Sequence, residues 1–155
     1  MSDLDDALAR VCEMQMAVVS GSDAVPFVFY AQEATKWWTN DITDFSVQEV
    51  SETLHLITYS VTMTYHGAEA TEGYVGQPEQ SVQTLIPTVV TYFNKRRQLK
   101  RTNTDSPVTN LDPRGAVVTG GRVDRNLTDS VGQRLFGIDF RLELPMFIDT
   151  EQSVF

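Results

Sequence analysis

Two histidines are the first candidates for chemistry in this chain. His55 and His66 lie 11 positions apart at the two ends of a strand-like stretch, too far along one strand to bind the same metal ion. Serine and aspartate are present, but no Gly-x-Ser-x-Gly nucleophile motif occurs, and Gly120-Gly121 lacks the Gly-x-x-x-x-Gly-Lys pattern that binds phosphate. We therefore expect no catalytic residue, no metal site, no cofactor and no enzymatic activity.

Cys12 is the only cysteine. An intrachain disulfide and zinc sites built on paired cysteines are thereby excluded. Because Cys12 lies on the apolar stripe of a predicted helix, we expect a buried thiol that behaves as a small hydrophobic side chain.

A basic cluster is the strongest candidate binding surface. Five of the 12 basic residues fall within seven positions: Lys95, Arg96, Arg97, Lys100 and Arg101. Cations at the end of a helix complement its dipole, so the cluster is either a solvated helix end or a contact surface for an acidic partner. The sequence alone leaves both interpretations open.

The charge distribution indicates what that partner could be. The net charge is -9, and residues 1–79 contain 13 acids with only two bases, whereas residues 80–155 contain ten bases and eight acids. Such a balance disfavours a general nucleic-acid-binding role, which needs a cationic surface. The acidic partner of the basic cluster could instead be a second copy of the same chain.

Trp37 and Trp38 form a second candidate contact region. Adjacent side chains of a strand point to opposite faces, so the pair predicts at least one tryptophan on a surface that another subunit covers. The alternative is one core tryptophan beside a partly exposed one.

Two helices are predicted to position these residues. Ser2 as N-cap with Asp5 three residues later opens a first helix, which ends near Gly21. Glu69–Gln77 indicates a loop, Pro78 suits the start of a second helix, and residues 82–93 carry an apolar stripe at helical spacing. Pro87 either kinks this helix or is its true beginning.

Alternating patterns predict the strands. The clearest is Ile57–Tyr65, expected near the centre of the sheet, with a turn at residues 51–53 that makes a hairpin with the preceding segment. The other predicted strands are Val25–Tyr30, Phe45–Val50, Ala116–Val123 with a bulge or edge at Gly120-Gly121, and Ile138–Leu144 closed by Pro145.

Together these elements predict a single α+β domain over residues 1–155. An antiparallel or mixed sheet carries both helices on one face, with a long exposed loop at about 102–113 and a flexible tail at about 149–155. With 41% hydrophobic and 21% charged residues, global disorder is excluded. The acidic first residues and the lack of any apolar run near 20 residues predict a cytosolic chain without a membrane anchor.

The order of elements resembles that of the tail terminator, or tail completion, proteins of long-tailed bacteriophages. The resemblance covers roughly residues 3–148 and is carried by element order and hydrophobic pattern. Its most characteristic segments are Leu85-Ile86-Pro87-Thr88-Val89-Val90-Thr91-Tyr92-Phe93 and Phe136-Gly137-Ile138-Asp139-Phe140-Arg141-Leu142-Glu143-Leu144.

The resemblance implies a structural virion protein that forms a homo-oligomeric ring, usually a hexamer, at the head-proximal end of the tail. Such a ring ends polymerisation of the tail tube and offers a docking face to the head completion or connector protein. DNA would pass through its channel without specific binding, and assembly would take place in the host cytoplasm. Alternative functions are a head completion, neck or tail tube subunit, and a small nucleic-acid-binding module that uses the basic cluster.

Overall fold

The computed structural model describes residues 2–26, 36–68, 82–128 and 134–149. Seven elements follow one another in chain order: α1 (Asp3–Val18), β1 (Asp23–Val25), β2 (Trp37–Glu49), β3 (Leu54–Ala68), α2 (Val82–Asn94), β4 (Val117–Thr128) and β5 (Arg134–Asp149). Within these ranges, no helix is long and apolar enough to cross a membrane.

The five strands form one mixed sheet in the order β1-β2-β3-β5-β4. β1 runs parallel to β2, and every other neighbouring pair is antiparallel. The strongly alternating strand β3 therefore lies at the centre, as predicted, and β2 and β3 form the predicted hairpin with its turn at residues 50–53. The α+β fold class is confirmed.

Both helices cover one face of the sheet, as the apolar stripes predict. The buried side chains of α1 and α2 join those of β3 and β5 in one hydrophobic cluster. Alternate β5 residues face it: Phe136, Ile138, Phe140, Leu142, Leu144 and Met146. The opposite face carries polar side chains such as Ser60, Thr62 and Thr64.

Helix α1 begins with the predicted capping box. The Asp5 amide donates to Ser2 Oγ at 3.1 Å, and the Ser2 amide donates to Asp5 Oδ2 at 3.2 Å. The Ser2 hydroxyl also donates to Asp5 Oδ2 at 2.8 Å, and this bond, with that of the Ser2 amide, holds the pKa of the Asp5 carboxyl below its usual value. The helix ends at Val18, just before Gly21, whose φ of +80° is a conformation that favours glycine. Cys12 is buried, as expected.

A buried amide pair joins α1 to the sheet. Gln15 and Asn40 are 0% and 2% exposed, and each side-chain amide donates to the other, at 2.7 and 3.0 Å. The Asn40 amide also donates to the carbonyl of Val25 in β1, at 2.8 Å. Because buried polar groups are costly when unpaired, this network fixes where α1 lies along β2.

Helix α2 passes through Pro87 without ending there. It begins before the proline, at Val82, which corrects the alternative in which Pro87 starts the helix. The missing proline N–H leaves the Gln83 carbonyl without its usual helical donor, but both residues are exposed, so water can serve that carbonyl. The loop predicted at residues 69–77 and the helix start predicted at Pro78 lie outside the described residues.

Strand β4 lies at the edge of the sheet, and its register shifts between Val118 and Gly120, so both the predicted edge and the predicted bulge are present. The expectation that Pro145 closes the last strand is wrong, since β5 continues to Asp149. The Pro145 carbonyl accepts from the amide of Asp112 at 3.0 Å. Its nitrogen points to the same side, away from β3, so the proline removes no bond from the ladder with β3.

Other boundaries also differ from expectation. β1 ends at Val25, where the predicted strand Val25–Tyr30 begins, and Pro26 is not in a strand; residues 27–30 lie outside the described ranges, as do residues 150–155 of the expected tail. β2 extends back to Trp37, well before the predicted start at Phe45. The loop at 102–113 is mostly exposed, but Val108 and Asp112 are buried and Leu111 forms a bridge to Met146, so it covers one end of β5.

Candidate functional site

The basic cluster follows α2 rather than occupying its last turn. The helix ends at Asn94, and all five cluster residues lie beyond it with exposed side chains. The prediction that they complement the helix end holds for two of them. Arg96 Nη1 donates to the Tyr92 carbonyl at 3.2 Å, and Arg97 Nε donates to the Asn94 carbonyl at 3.1 Å.

Backbone hydrogen bonds from the loop that leads to β4 hold the segment that carries the basic cluster in place. The Arg97 carbonyl accepts from the amide of Ala116 at 2.8 Å, and Leu99 is 1% exposed and accepts from the amide of Val108 at 2.9 Å. Gly115, with φ of +76°, approaches the Arg97 backbone so closely that a Cβ at this position would collide with it. The cations therefore extend from an anchored segment.

This segment borders a cleft of about 680 Å³ between α1 and the loop that leads to β4. Arg10 of α1 and Arg114 add two further cations to the cleft lining. Its other basic lining residues are Lys95, Arg96, Arg97 and Lys100. Such a concentration of positive charge attracts anionic groups.

Ion pairs within the chain neutralise only part of this charge. Arg10 pairs with Glu13, and Arg114 Nε lies 3.1 Å from Asp112 Oδ1 and holds the pKa of that carboxyl below its usual range. Arg101, next to the cleft, lies 3.7 Å from Asp6. Within the described ranges, Lys95, Arg96, Arg97 and Lys100 form no ion pair.

Arg96 makes two contacts with Tyr92. Besides its bond to the Tyr92 carbonyl, its guanidinium carbon lies 3.8 Å from the centroid of the Tyr92 ring. The ring thus holds the guanidinium by a cation–π contact, which leaves donor groups directed to solvent.

Trp37 and Trp38 do not form a surface patch, which corrects the expectation that at least one lies on the surface. They are 6% and 0% exposed. Trp38 is in the core with its ring centroid 5.0 Å from that of Tyr65, while Trp37 stacks on His66 on the opposite face at 4.7 Å. The alternation between faces was predicted correctly, but the neighbouring strand supplies an aromatic partner on each face.

The histidines lie at opposite ends of β3, and no cluster of three metal-ligating side chains occurs among the described residues. His66 Nε2 is 3.3 Å from Thr39 Oγ1, and burial lowers the pKa of the imidazole although Asp139 opposes that change. Thr64 donates its hydroxyl proton to Asp139 at 2.7 Å rather than to His66.

The sequence analysis missed a second surface, the exposed part of β2. Residues 41–50 are all exposed, and this segment carries large apolar side chains: Ile42, Phe45, Val47 and Val50. Asp41, Asp44 and Glu49 lie among them, and Glu52 is exposed in the turn. We name residues 41–52 the acidic hairpin arm. The alternation of Phe45 and Val47 was read as an ordinary strand, which predicts a covered face.

The comparisons with known proteins add no identification. No protein-family model matches the chain, and the search of curated proteins finds no similar sequence.

Proposed function

We propose that this protein is a structural subunit of a phage tail, a tail terminator whose copies close into a ring at the head-proximal end of the tail tube. The observation that carries the proposal is a set of four exposed cations at the cleft that form no ion pair with any described residue, in a chain whose net charge is -9. A cationic surface on an acidic protein is complementary to the rest of that protein, which favours association between copies.

The proposed role needs no active site. The ring is the working unit, and one face of it would bind the tail tube protein while the other binds the head completion or connector protein. The resemblance in element order supports this assignment over a head completion, neck or tail tube subunit. The excess of acidic groups would repel DNA phosphates and so let the genome pass without specific binding.

Charge reversal of the cleft tests the proposal. Arg96→Glu/Arg97→Glu should reduce ring formation and docking on purified tail tubes at about 0.1 M salt, while the monomer remains folded, because the exposed charges and helix-end bonds of these two residues contribute only modestly to folding. The difference should shrink towards 1 M salt, where the screening length falls from about 10 Å to about 3 Å. Arg122→Glu/Arg141→Glu, on the opposite face of the sheet, is the control for the charge change; because these residues pair with Asp139 and Glu143, its melting temperature is measured as well.

The parent protein and the double variant also distinguish the alternative functions. Sedimentation of the parent under dilute conditions should show a closed ring or a monomer, whereas a tail tube subunit should polymerise. A nucleic-acid-binding module should bind a short DNA duplex at low salt and lose that binding in Arg96→Glu/Arg97→Glu. If the double variant assembles on tails as well as the parent, the cleft is only a solvated segment and the proposal fails.

A further inference from the structure

The acidic hairpin arm is uncovered because the strands are longer than the helices. β5 has 16 residues and spans roughly 50 Å, whereas the 13 residues of α2 span roughly 20 Å. The loop at 102–113 covers the end of β5, but nothing in the described ranges covers the neighbouring part of β2. Phe45 is 63% and Val47 55% exposed.

The pairing register shows which face of the arm these side chains occupy. Phe45 and Val47 lie opposite Tyr59 and Ile57, which share the helix-bearing face with buried Val61. Glu49, two residues further, shares that face, because side chains alternate along a strand. Asp41 and Asp44 lie opposite Thr62 and Ser60, on the other face. Ile42 lies opposite Val61, so the helix-bearing face of the arm combines three apolar side chains with a carboxylate.

The edge of the arm also lacks a paired strand among the described residues, since β1 pairs with β2 there only at residues 37–39. If two arms paired edge to edge, the carboxylates of Asp41, Asp44 and Glu49 in one copy would approach those of the other. Like charges across strands are destabilising, so the arm disfavours pairing with itself and favours a cationic partner.

A matching surface lies elsewhere on the same chain. A groove of about 520 Å³ runs along the outer side of α2, and it is lined by Pro87, Thr88, Thr91, Tyr92, Lys95 and Arg96. Its first four residues are uncharged and include a proline and an aromatic ring, while the last two belong to the basic cluster. Along its length the groove thus changes from neutral to cationic.

We propose that the acidic hairpin arm of one copy docks in the α2 groove of the next copy. Phe45 and Val47 contact the neutral part, and Glu49 and Glu52 contact the cationic part at Lys95 and Arg96, next to Arg97. This inference rests on the proposed ring and names the contact that would close it. Because the two surfaces differ, the contact between copies is head-to-tail. Such contacts generate a closed ring when the rotation from each copy to the next adds up to one full turn.

A charge-exchange experiment tests this contact. Glu49→Lys/Glu52→Lys should weaken association about tenfold to a hundredfold at 0.1 M salt, as should Arg96→Glu/Arg97→Glu. Equimolar mixing of the two variants should restore assembly, because the basic arm of one then meets the acidic groove of the other. Sedimentation measures each sample, and thermal melting checks that each variant remains folded.

Two further variants locate the contact. Asp41→Lys/Asp44→Lys makes the same charge change on the other face of the arm and should assemble like the parent. Phe45→Ser should weaken association by about tenfold without lowering the melting temperature, since the ring of Phe45 is largely exposed in the monomer.

The outcomes separate this inference from the proposed function. If Glu49→Lys/Glu52→Lys assembles like the parent, or if mixing does not restore assembly, the arm does not dock in the groove, although a ring built on other contacts can stand. If the parent remains monomeric at every concentration and does not dock on tail tubes, the proposed function fails and this inference fails with it.

Discussion

Replacing Val89 by aspartate tests whether α2 presents its stripe to the core as described. Val89 is 0% exposed and belongs to the hydrophobic cluster, so an introduced carboxyl would have only apolar neighbours. Thr91, two positions later, is exposed and lies one helical turn before Lys95. The same change at Thr91 places the carboxylate in solvent beside a cation.

The magnitude follows from burial. A buried carboxyl without a partner costs several kcal/mol even when it avoids ionisation by keeping its proton, and the lost burial of valine adds about 1.5 kcal/mol. We expect Val89→Asp to lower the free energy of unfolding by about 4 kcal/mol or more, a large part of the roughly 5–15 kcal/mol typical of a domain. The melting temperature should then fall by about 10–15 °C.

Urea unfolding followed by circular dichroism measures both variants. Thr91→Asp should stay within about 0.5 kcal/mol of the parent, because a pair with Lys95 offsets the unfavourable helix-end position. Burial raises the pKa of the carboxyl introduced at Val89 above its value in the unfolded chain. Its destabilising effect should therefore grow as the pH rises above about 4 and be smaller in acid. Equal stability of the two variants would refute the orientation of α2.

Two further changes test local packing. Gly115→Ala should lower the free energy of unfolding, measured in urea, by about 2–4 kcal/mol, because it adds a collision with the Arg97 backbone to the cost of a positive φ. Gly21→Ala should lower it by only about 1 kcal/mol, since no atom lies within 4 Å of the added Cβ. Equal losses would contradict the close approach of Gly115 to Arg97. Burial raises the pKa of the Cys12 thiol to about 11. At pH 8 a thiol reagent should therefore label Cys12 at least about a hundredfold more slowly than a free cysteine. Rapid labelling of the folded protein would show that α1 does not bury the Cys12 thiol.

Local signals in the sequence predicted much of the fold. The Ser2 capping box, the alternation along Ile57–Tyr65 and the Gly120-Gly121 bulge depend on residues close together in the chain, and each is present. Errors came from partners distant in sequence. Pro145 is accommodated by Asp112, and both tryptophans find aromatic partners on β3 and β5, which no local pattern reveals.

The candidate site was also predicted where its residues are close in sequence and missed where its exposure depends on distant elements. The basic cluster is a run of adjacent residues, so composition alone located it. The acidic hairpin arm was missed because alternation of Phe45 and Val47 predicts that something covers them. Whether a strand face is covered depends on how far the helices extend over the sheet, and that length relation appears only in the assembled structure.

The amide pair of Gln15 and Asn40 has a geometric consequence for any head-to-tail assembly. Asn40 is the last buried residue of β2 before the acidic hairpin arm, and Gln15 lies on the helix whose Arg10 lines the cleft. The pair therefore holds the arm at a fixed angle to α1 and, through the packing of α1 against α2, to the α2 groove of the same subunit. In a closed ring that angle sets the curvature and hence the number of copies, so two buried amides far from any contact surface would determine the symmetry of the assembly.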